Sequence, residues 1–257
     1  MIFLSETGLN HQGKRSNLIR MVKEAVSAGV DGIIVQVLER EYYDKSKSHK
    51  NWIDIEAYRD IYKYLKKKEL IFGISIRNFE TLELFKKKKI KLDLVKIIGY
   101  KYNDYKLISK ATKRYKDKVY LSTAISSFKD IKKIKKKFKS INFIHTSYKK
   151  SIENSNLSMI TKIRSLSGVK EVAYGLHCDN SDIIKYVIPL QPSSIFFYIK
   201  LKKDEIYPDN EHAILLSKLK RKLNEWKKIQ TYVGNGEKKR EKLSKWIDLG
   251  NLKIKRN

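Results

Sequence analysis

The residues best suited to chemistry stand close to the N-terminus, where Ser5-Glu6-Thr7-Gly8-Leu9-Asn10-His11-Gln12-Gly13 follows a short apolar run. A carboxylate, an amide and an imidazole this close together can bind hydroxyl groups and move a proton. The glycines offer a second account, in which Gly8 and Gly13 let a loop turn while Asn10 supports it. Polar side chains also stand in or at the end of later apolar runs, namely Gln36, Ser75, Lys96, Ser122 and Thr123. For Lys96 an ion pair at a strand end is the plainer explanation, and the hydroxyls of Ser122 and Thr123 can bond nearby backbone. Asp209 beside Pro208 has the composition of a turn.

The elements that must position these groups are short β-branched or apolar runs alternating with longer amphipathic segments, from the first residue to about residue 225. That alternation is the mark of repeated βα units. Strands are expected at Ile2–Ser5, Gly32–Val37, Ile71–Ser75, Leu94–Ile97, Val119–Ser122, Asn142–His145, Glu171–Tyr174 and Ser194–Ile199. Most are nearly continuous apolar runs, as strands covered on both faces should be. Between them, apolar residues three and four apart give each helix one stripe to lay on the sheet, as in Leu18, Met21, Val22, Ala25 and Val26 ahead of a stop at Gly29. Asn78 is placed to cap the helix after the third strand, and Pro189, Pro192 and Pro208 flank the eighth. Eight such pairs in 257 residues predict a single-domain (β/α)8 TIM barrel of the α/β class, a fold that typically takes about 250 residues. Active sites of this fold form at the C-terminal ends of the strands, which is where the Ser5 to Gly13 run falls. Residues 226–257 read as a polar extension with a short helix over Lys238–Ile247.

The formal charge of +29 comes from 57 Lys and Arg against 28 Asp and Glu, which raises a polyanion as a partner. The lysines are spread over nearly every helical segment, as in Lys66 to Lys68, Lys86 to Lys89 and Lys135 to Lys137, rather than gathered in one basic arm. That distribution argues against nucleic acid and leaves a field that attracts anionic substrates. Cys178 is the only cysteine, so no intramolecular disulfide forms and no zinc-finger spacing exists. The opening MIFLSETGLN lacks the basic leader and length of a signal peptide, and no run reaches the roughly 18 apolar residues of a membrane span. A cytoplasmic protein without membrane contact is expected.

The Ser5 to Gly13 run resembles the opening signature of the sialic-acid (N-acetylneuraminate) synthase family, in which Glu, Gly, Asn, His and Gly recur at this spacing. Later segments resemble the same family in order: Gln36, Ser75, Lys96 and Leu121-Ser122-Thr123 fall at its corresponding strand positions. Tyr174 and His177 fall on the Tyr and His of its Gly-Tyr-Ser-Asp-His run, and Pro208-Asp209 on the start of its Pro-Asp-His run. The resemblance implies a carbohydrate-biosynthesis transferase that condenses phosphoenolpyruvate with an N-acetylated amino sugar, usually with a divalent metal such as Mn or Mg. It further implies that Lys96, Ser75, Ser122 and Ser147 meet the phosphate and carboxylate, while Glu6, Gln36 and Asp209 meet sugar hydroxyls. Asn10, His11 and Thr123 join the substrate site on this reading, and Glu6, Lys96 and His177 form the catalytic set. Family members are dimers, so a homodimer is the implied oligomer.

Several family positions are changed. Ile34 stands where a lysine usually precedes the glutamine of the second strand, and the family's Lys-Ile-Ala-Ser-Gly-Glu run becomes Lys96-Ile97-Ile98-Gly99-Tyr100-Lys101. The loop after the sixth strand, His145 to Lys150, is about two residues short against the family, by the same alignment. Of the two metal histidines only His177 is retained, and Lys200 occupies the place of the second. A protonated lysine cannot ligate a metal, so Lys200 either supplies positive charge to the substrate or extends to the surface. The family's C-terminal antifreeze-like domain is also expected to be missing. These changes make a non-catalytic barrel that binds a sugar or a partner protein the alternative to an enzyme. The scattered charge predicts that the protein leaves a polyanion column by about 0.2 M salt; retention well beyond that would restore nucleic acid as a partner.

Overall fold

Eight parallel strands hydrogen-bond in chain order, and the first pairs with the eighth to close the ring, in a computed structural model that describes residues 1–37, 39 and 50–237. The strands are β1 (Ile2–Gly8), β2 (Gly32–Gln36), β3 (Ile71–Ile76), β4 (Leu94–Ile97), β5 (Val119–Ser122), β6 (Asn142–His145), β7 (Val172–Leu176) and β8 (Ser194–Lys200). The helices between and after them are α1 (Arg15–Ala28), α2 (Ile55–Lys66), α3 (Glu80–Lys87), α4 (Tyr105–Tyr115), α5 (Phe128–Lys137), α6 (Ser158–Arg164), α7 (Ile184–Val187) and α8 (Leu216–Val233). A two-residue strand, β9 (Ile214–Leu215), adds to the end of β8. The expected (β/α)8 barrel is therefore the observed fold.

Local chemistry explains the boundaries. Gly29 ends α1 in a left-handed conformation, with its N–H returned to the last turn, and Asn78 accepts a hydrogen bond from the Thr81 N–H at the start of α3. Asp54 and Asp104 cap α2 and α4, and Ser127 with Asp130 forms a capping box on α5. No helix among the described residues is long and apolar enough to cross a membrane.

Side chains on a strand alternate between the helix layer and the barrel interior. Leu4, Ile34, Leu94, Tyr120, Ile144, Ala173 and Phe196 make one buried interior cluster. Two residues further along their strands stand Glu6, Gln36, Lys96, Ser122 and Tyr198, so an apolar plug forms the floor under a polar layer. Tyr174 belongs to the helix-facing core instead. The strand alternation thus turns it away from the mouth, although its place in the sequence matches the family's tyrosine.

The seam between β1 and β8 is covered by α8, which runs to Val233, past residue 225 where the alternation in the sequence ends. Trp226 of α8 is fully buried, stacked on Phe3 at 5.8 Å and edge-on to Phe197 at 5.6 Å. The helix expected over Lys238–Ile247 lies outside the described residues. Because Trp226 locks the closing strands to the outer ring, Trp226→Ala should lower unfolding free energy by about 3–5 kcal/mol. Urea denaturation followed by circular dichroism measures this, and a loss below about 1 kcal/mol would remove α8 from the barrel core.

Candidate active site

Glu6 from β1 and Lys96 from β4 meet across the barrel interior, with Lys96 Nζ 2.6 Å from both carboxylate oxygens and both side chains at least 96% buried. The ion pair considered for Lys96 is present, yet it lies in the interior of the polar layer rather than at a surface strand end. A buried pair of this kind adds little net stability, because desolvation offsets most of the attraction. Lys96 Nζ also stands 5.6 Å from the Phe196 ring and 5.5 Å from the Tyr198 ring. Floor and wall are thus aromatic, and the charges are shielded from water.

The wall on the β7–β8 side carries His177, Tyr198, His212 and Asp209. His177 and His212 stack at 4.6 Å between ring centroids, and Tyr198 meets them edge-on at 5.4 and 4.8 Å. Tyr148 closes over His177 from the β6 loop at 5.4 Å. Burial, then His212 and the Lys96 charge, hold His177 well below the usual imidazole range; burial and nearby lysines bring His212 down to about 4. Both rings are neutral at pH 7. Asp209 stands 3.8 Å from His212 Nε2 and accepts from the Leu9 N–H. Burial pushes its carboxyl up to about 6, against the opposing hydrogen bond from Leu9. Gly8 makes this wall possible: with φ at +51° it leaves the space where a β-carbon would strike the Asp209 carboxylate and come within 2.8 Å of the Tyr198 ring.

The other expected residues divide between mouth and scaffold. Ser75 is buried on β3 with a hydroxyl that has no hydrogen-bond partner, and Ser122 stands on β5 beside Gly99, whose missing side chain leaves room below Tyr148. Gln36 ends β2 opposite Ser75 in register. Among the described residues no side-chain hydrogen bond engages these three. Asn10 instead joins two loops, donating to Ile199 O at 2.8 Å and accepting from Asp209 N at 2.9 Å. His11 is fully buried, its Nδ1 accepting from Gly13 N–H at 3.1 Å. Thr123 donates to Ile144 O, as its strand-end alternative anticipated, and Ser147 accepts from Lys149 N–H within its own loop.

Lys200 ends β8 with its side chain turned to the loop that follows. Its Nζ bonds Asn210 O and Oδ1 at 2.9 and 2.8 Å, while the interior position beside His177 belongs to Tyr198, one alternation earlier on β8. The second imidazole comes from His212, after the strand. Its signal in the sequence was the Pro208-Asp209-Asn210-Glu211-His212 run, in which the histidine of a Pro-Asp-His motif is displaced by two intervening residues. Arg77 at the end of β3 was also missed; its guanidinium is paired with Glu39 at 3.3 Å, and its charge reaches Tyr148, Tyr198 and Asp209.

Among the described residues no group of three or more His, Cys, Asp or Glu side chains converges as a metal-ligating set. Two neutral imidazoles stand together, and His212 Nε2 is buried without a hydrogen-bond partner. Two imidazoles alone do not make a closed structural site, which takes four protein ligands.

The model of the NeuB family matches residues 21–238. An uncharacterized protein of Methanocaldococcus jannaschii is 25% identical over 250 residues, covering 91% of this chain and 72% of that protein. Among solved structures, the N-acetylneuraminic acid (sialic acid) synthetase of Leptospira borgpetersenii serovar Hardjo-bovis, in complex with citrate, is similar with a TM-score of 0.82 at 20% identity, covering 93% of this chain and 87% of that one. A spore coat polysaccharide biosynthesis protein of Bacillus subtilis reaches 0.78 at 18% identity, covering 90% of this chain and 68% of that one. At these identities the solved structures establish a shared fold, and function must be argued from the site.

His11 provides a pH test of the loop that shapes the mouth. Burial brings its imidazole down to about 4 from 6.5, so the unfolded chain takes up a proton that the folded one refuses. Stability from the neutral ring is present above about pH 6.5 and lost as pH falls toward about 4. The unfolding free energy of wild type relative to His11→Asn should therefore decline by about 2–3 kcal/mol across that window. Urea unfolding at a series of pH values reads it; a pH-independent difference would show that His11 is not buried in its neutral form.

Proposed function

The chain belongs to the NeuB family, and from that premise we propose that it is a sugar-biosynthesis synthase condensing phosphoenolpyruvate with an amino sugar. The observation that carries this reading is the buried Glu6–Lys96 pair, set on an aromatic floor beside His177 and His212. In the reaction a bond forms between the methylene carbon of phosphoenolpyruvate and the aldehyde carbon of the open-chain sugar. Water adds to the neighbouring enol carbon, and the phosphate departs from it. The products are a longer keto acid and inorganic phosphate.

The charges assign the parts. Lys96 with the Ser75 and Ser122 hydroxyls receives the anionic groups of phosphoenolpyruvate. An anion arriving at Lys96 takes over as its counter-ion and frees the Glu6 carboxylate to accept from a sugar hydroxyl and move a proton. Gln36 and Asp209 serve as further acceptors for the sugar. Arg77 supplies positive charge on the side where Ile34 replaces a cation, since Ile34 is buried in the apolar floor. A divalent metal held by His177 and His212 would polarise the aldehyde oxygen. A cytoplasmic location belongs to the same reading.

The alternative, a barrel that binds sugar without turnover, is favoured by Ile34 and Lys101 at positions where the resembling family places other groups. Incubation with phosphoenolpyruvate and a panel of hexosamines, with and without manganese, separates the two. Phosphate release with at least one sugar is expected, lowered about 10²–10⁴-fold in Glu6→Gln. No release with any sugar would sink the synthase reading, and full turnover in Glu6→Gln would remove Glu6 from the chemistry.

A further inference from the structure

The alternation that sets Glu6, Gln36, Lys96 and Ser122 two residues above the apolar floor holds also along β6 and β7. Two residues after Ile144 stands Thr146, and two after Ala173 stands Gly175. Thr146 is only 5% exposed, and its hydroxyl is buried with no hydrogen-bond partner among the described residues. Gly175 makes room beside it, since a β-carbon there would stand 3.2 Å from Thr146 Cβ and 3.4 Å from its Oγ1. A buried hydroxyl without a partner costs stability that a valine of the same shape would not. Such a group has a use when a ligand brings the missing acceptor.

Tyr148, two residues further on, carries a second hydroxyl to the same side of the mouth. Its ring meets His177 after β7 edge-on, and its Oη reaches the notch at Gly99 after β4. A β-carbon on Gly99 would stand 3.3 Å from both Tyr148 Oη and Ser122 Oγ, so these two hydroxyls border one small space. Neither Gly99 nor Gly175 is in the left-handed region, so what their missing side chains provide is space. Burial, and then the Glu6 charge, raise the Tyr148 phenol above its usual range, which keeps it a protonated donor at pH 7.

Donors and acceptors of the mouth are thereby segregated. Ser75, Lys96, Ser122, Thr146 and Tyr148 come from β3 to the loop after β6, whereas the carboxylates Glu6 and Asp209 stand on β1 and after β8. A phosphate group offers three strong acceptor oxygens, more than one lysine can fill, and it is repelled by carboxylates. We propose that Thr146 and Tyr148 are further binding residues of the mouth, donating with Ser122 to the phosphate group of an enol-phosphate substrate. The identity of that substrate rests on the synthase reading, whereas the phosphate site does not.

The test is a calorimetric titration of inorganic phosphate and of phosphoenolpyruvate into the full chain and into Thr146→Val and Tyr148→Phe, each of which removes one hydroxyl and keeps the shape. Either change should weaken both ligands about tenfold, and Thr146→Ser, which keeps the donor, should bind as wild type does. Urea unfolding should find Thr146→Val at least as stable as wild type, the reverse of what a structural hydrogen bond at this hydroxyl would give. Unchanged affinity in either variant overturns that residue's assignment and leaves the synthase reading standing. A wild type that binds neither ligand overturns the site. In turnover, Thr146→Val should raise the KM for phosphoenolpyruvate about tenfold with the sugar KM little changed, and a rise confined to the sugar overturns the placement of the phosphate. If wild type binds phosphoenolpyruvate but releases no phosphate with any sugar, the synthase reading fails, while the titrations still decide the two hydroxyls.

Discussion

A lysine and a glutamate sealed inside an aromatic-floored barrel cannot be there for stability alone, because removing two charges from water costs about as much as their contact returns. Once Glu6 and Lys96 share the interior, much else follows. The layer beneath must be apolar to exclude water, and Leu4, Ile34, Leu94 and Phe196 make it so. The layer above must be reachable by a ligand, because a counter-ion buried this deeply can be replaced only by another charge. The β1–β8 seam must also be closed firmly, since Glu6 stands on one side of it and Tyr198 on the other, in register. That places the burden on Trp226, Phe3 and Asn10.

Asn10 shows how the scaffold and the mouth are coupled. Its amide bonds the end of β8 on one side and the backbone of Asp209 on the other, so the loop after β1 and the loop after β8 move as one piece. Gly8 adds a steric condition to this link by leaving space for the Asp209 carboxylate and the Tyr198 ring. The position of the acidic side chain therefore depends on Gly8 at the end of β1 and on Leu9 and Asn10 in the loop after it, none of which needs to touch a ligand.

The barrel was legible in the sequence because strands covered on both faces carry nearly continuous apolar runs, such as Ile33-Ile34-Val35 in β2 and Val119-Tyr120-Leu121 in β5. Boundaries failed where function interrupts the pattern. β1 continues through Glu6, Thr7 and Gly8 because the polar residues that end its apolar run are still strand, with Glu6 turned to the barrel interior. α8 continues past residue 225 because Trp226 is one anchor in a polar stretch, and its weight comes from packing on Phe3 and Phe197, which lie far away in sequence. In the site, Glu6 and Lys96 could be named singly but not as a pair, since nothing in spacing brings residues 90 apart into contact. The bonding of Lys200 to Asn210, ten residues on, could not be read from the sequence, and His212 was hidden by the two residues that separate it from Pro208-Asp209 in its motif.

The electrostatics order the events that such a site can support. Burial of the rings, and then the cations around the mouth, keep His177 and His212 neutral, so the positive charge at the centre resides on Lys96 with Arg77 beyond it. On the proposed reading, an anionic ligand is drawn to Lys96 and displaces Glu6 to reach it. The displaced carboxylate is then left in a poorly hydrated site, where it is costly unless a hydroxyl, a proton or a cation meets it. Binding of the anion therefore creates the demand that a polyhydroxy second ligand satisfies, and neither ligand is fully accommodated without the other. Two ligands whose binding is coupled through one ion pair suit the condensation proposed above, whereas the alternative of simple sugar binding gives no use to a carboxylate released in this way.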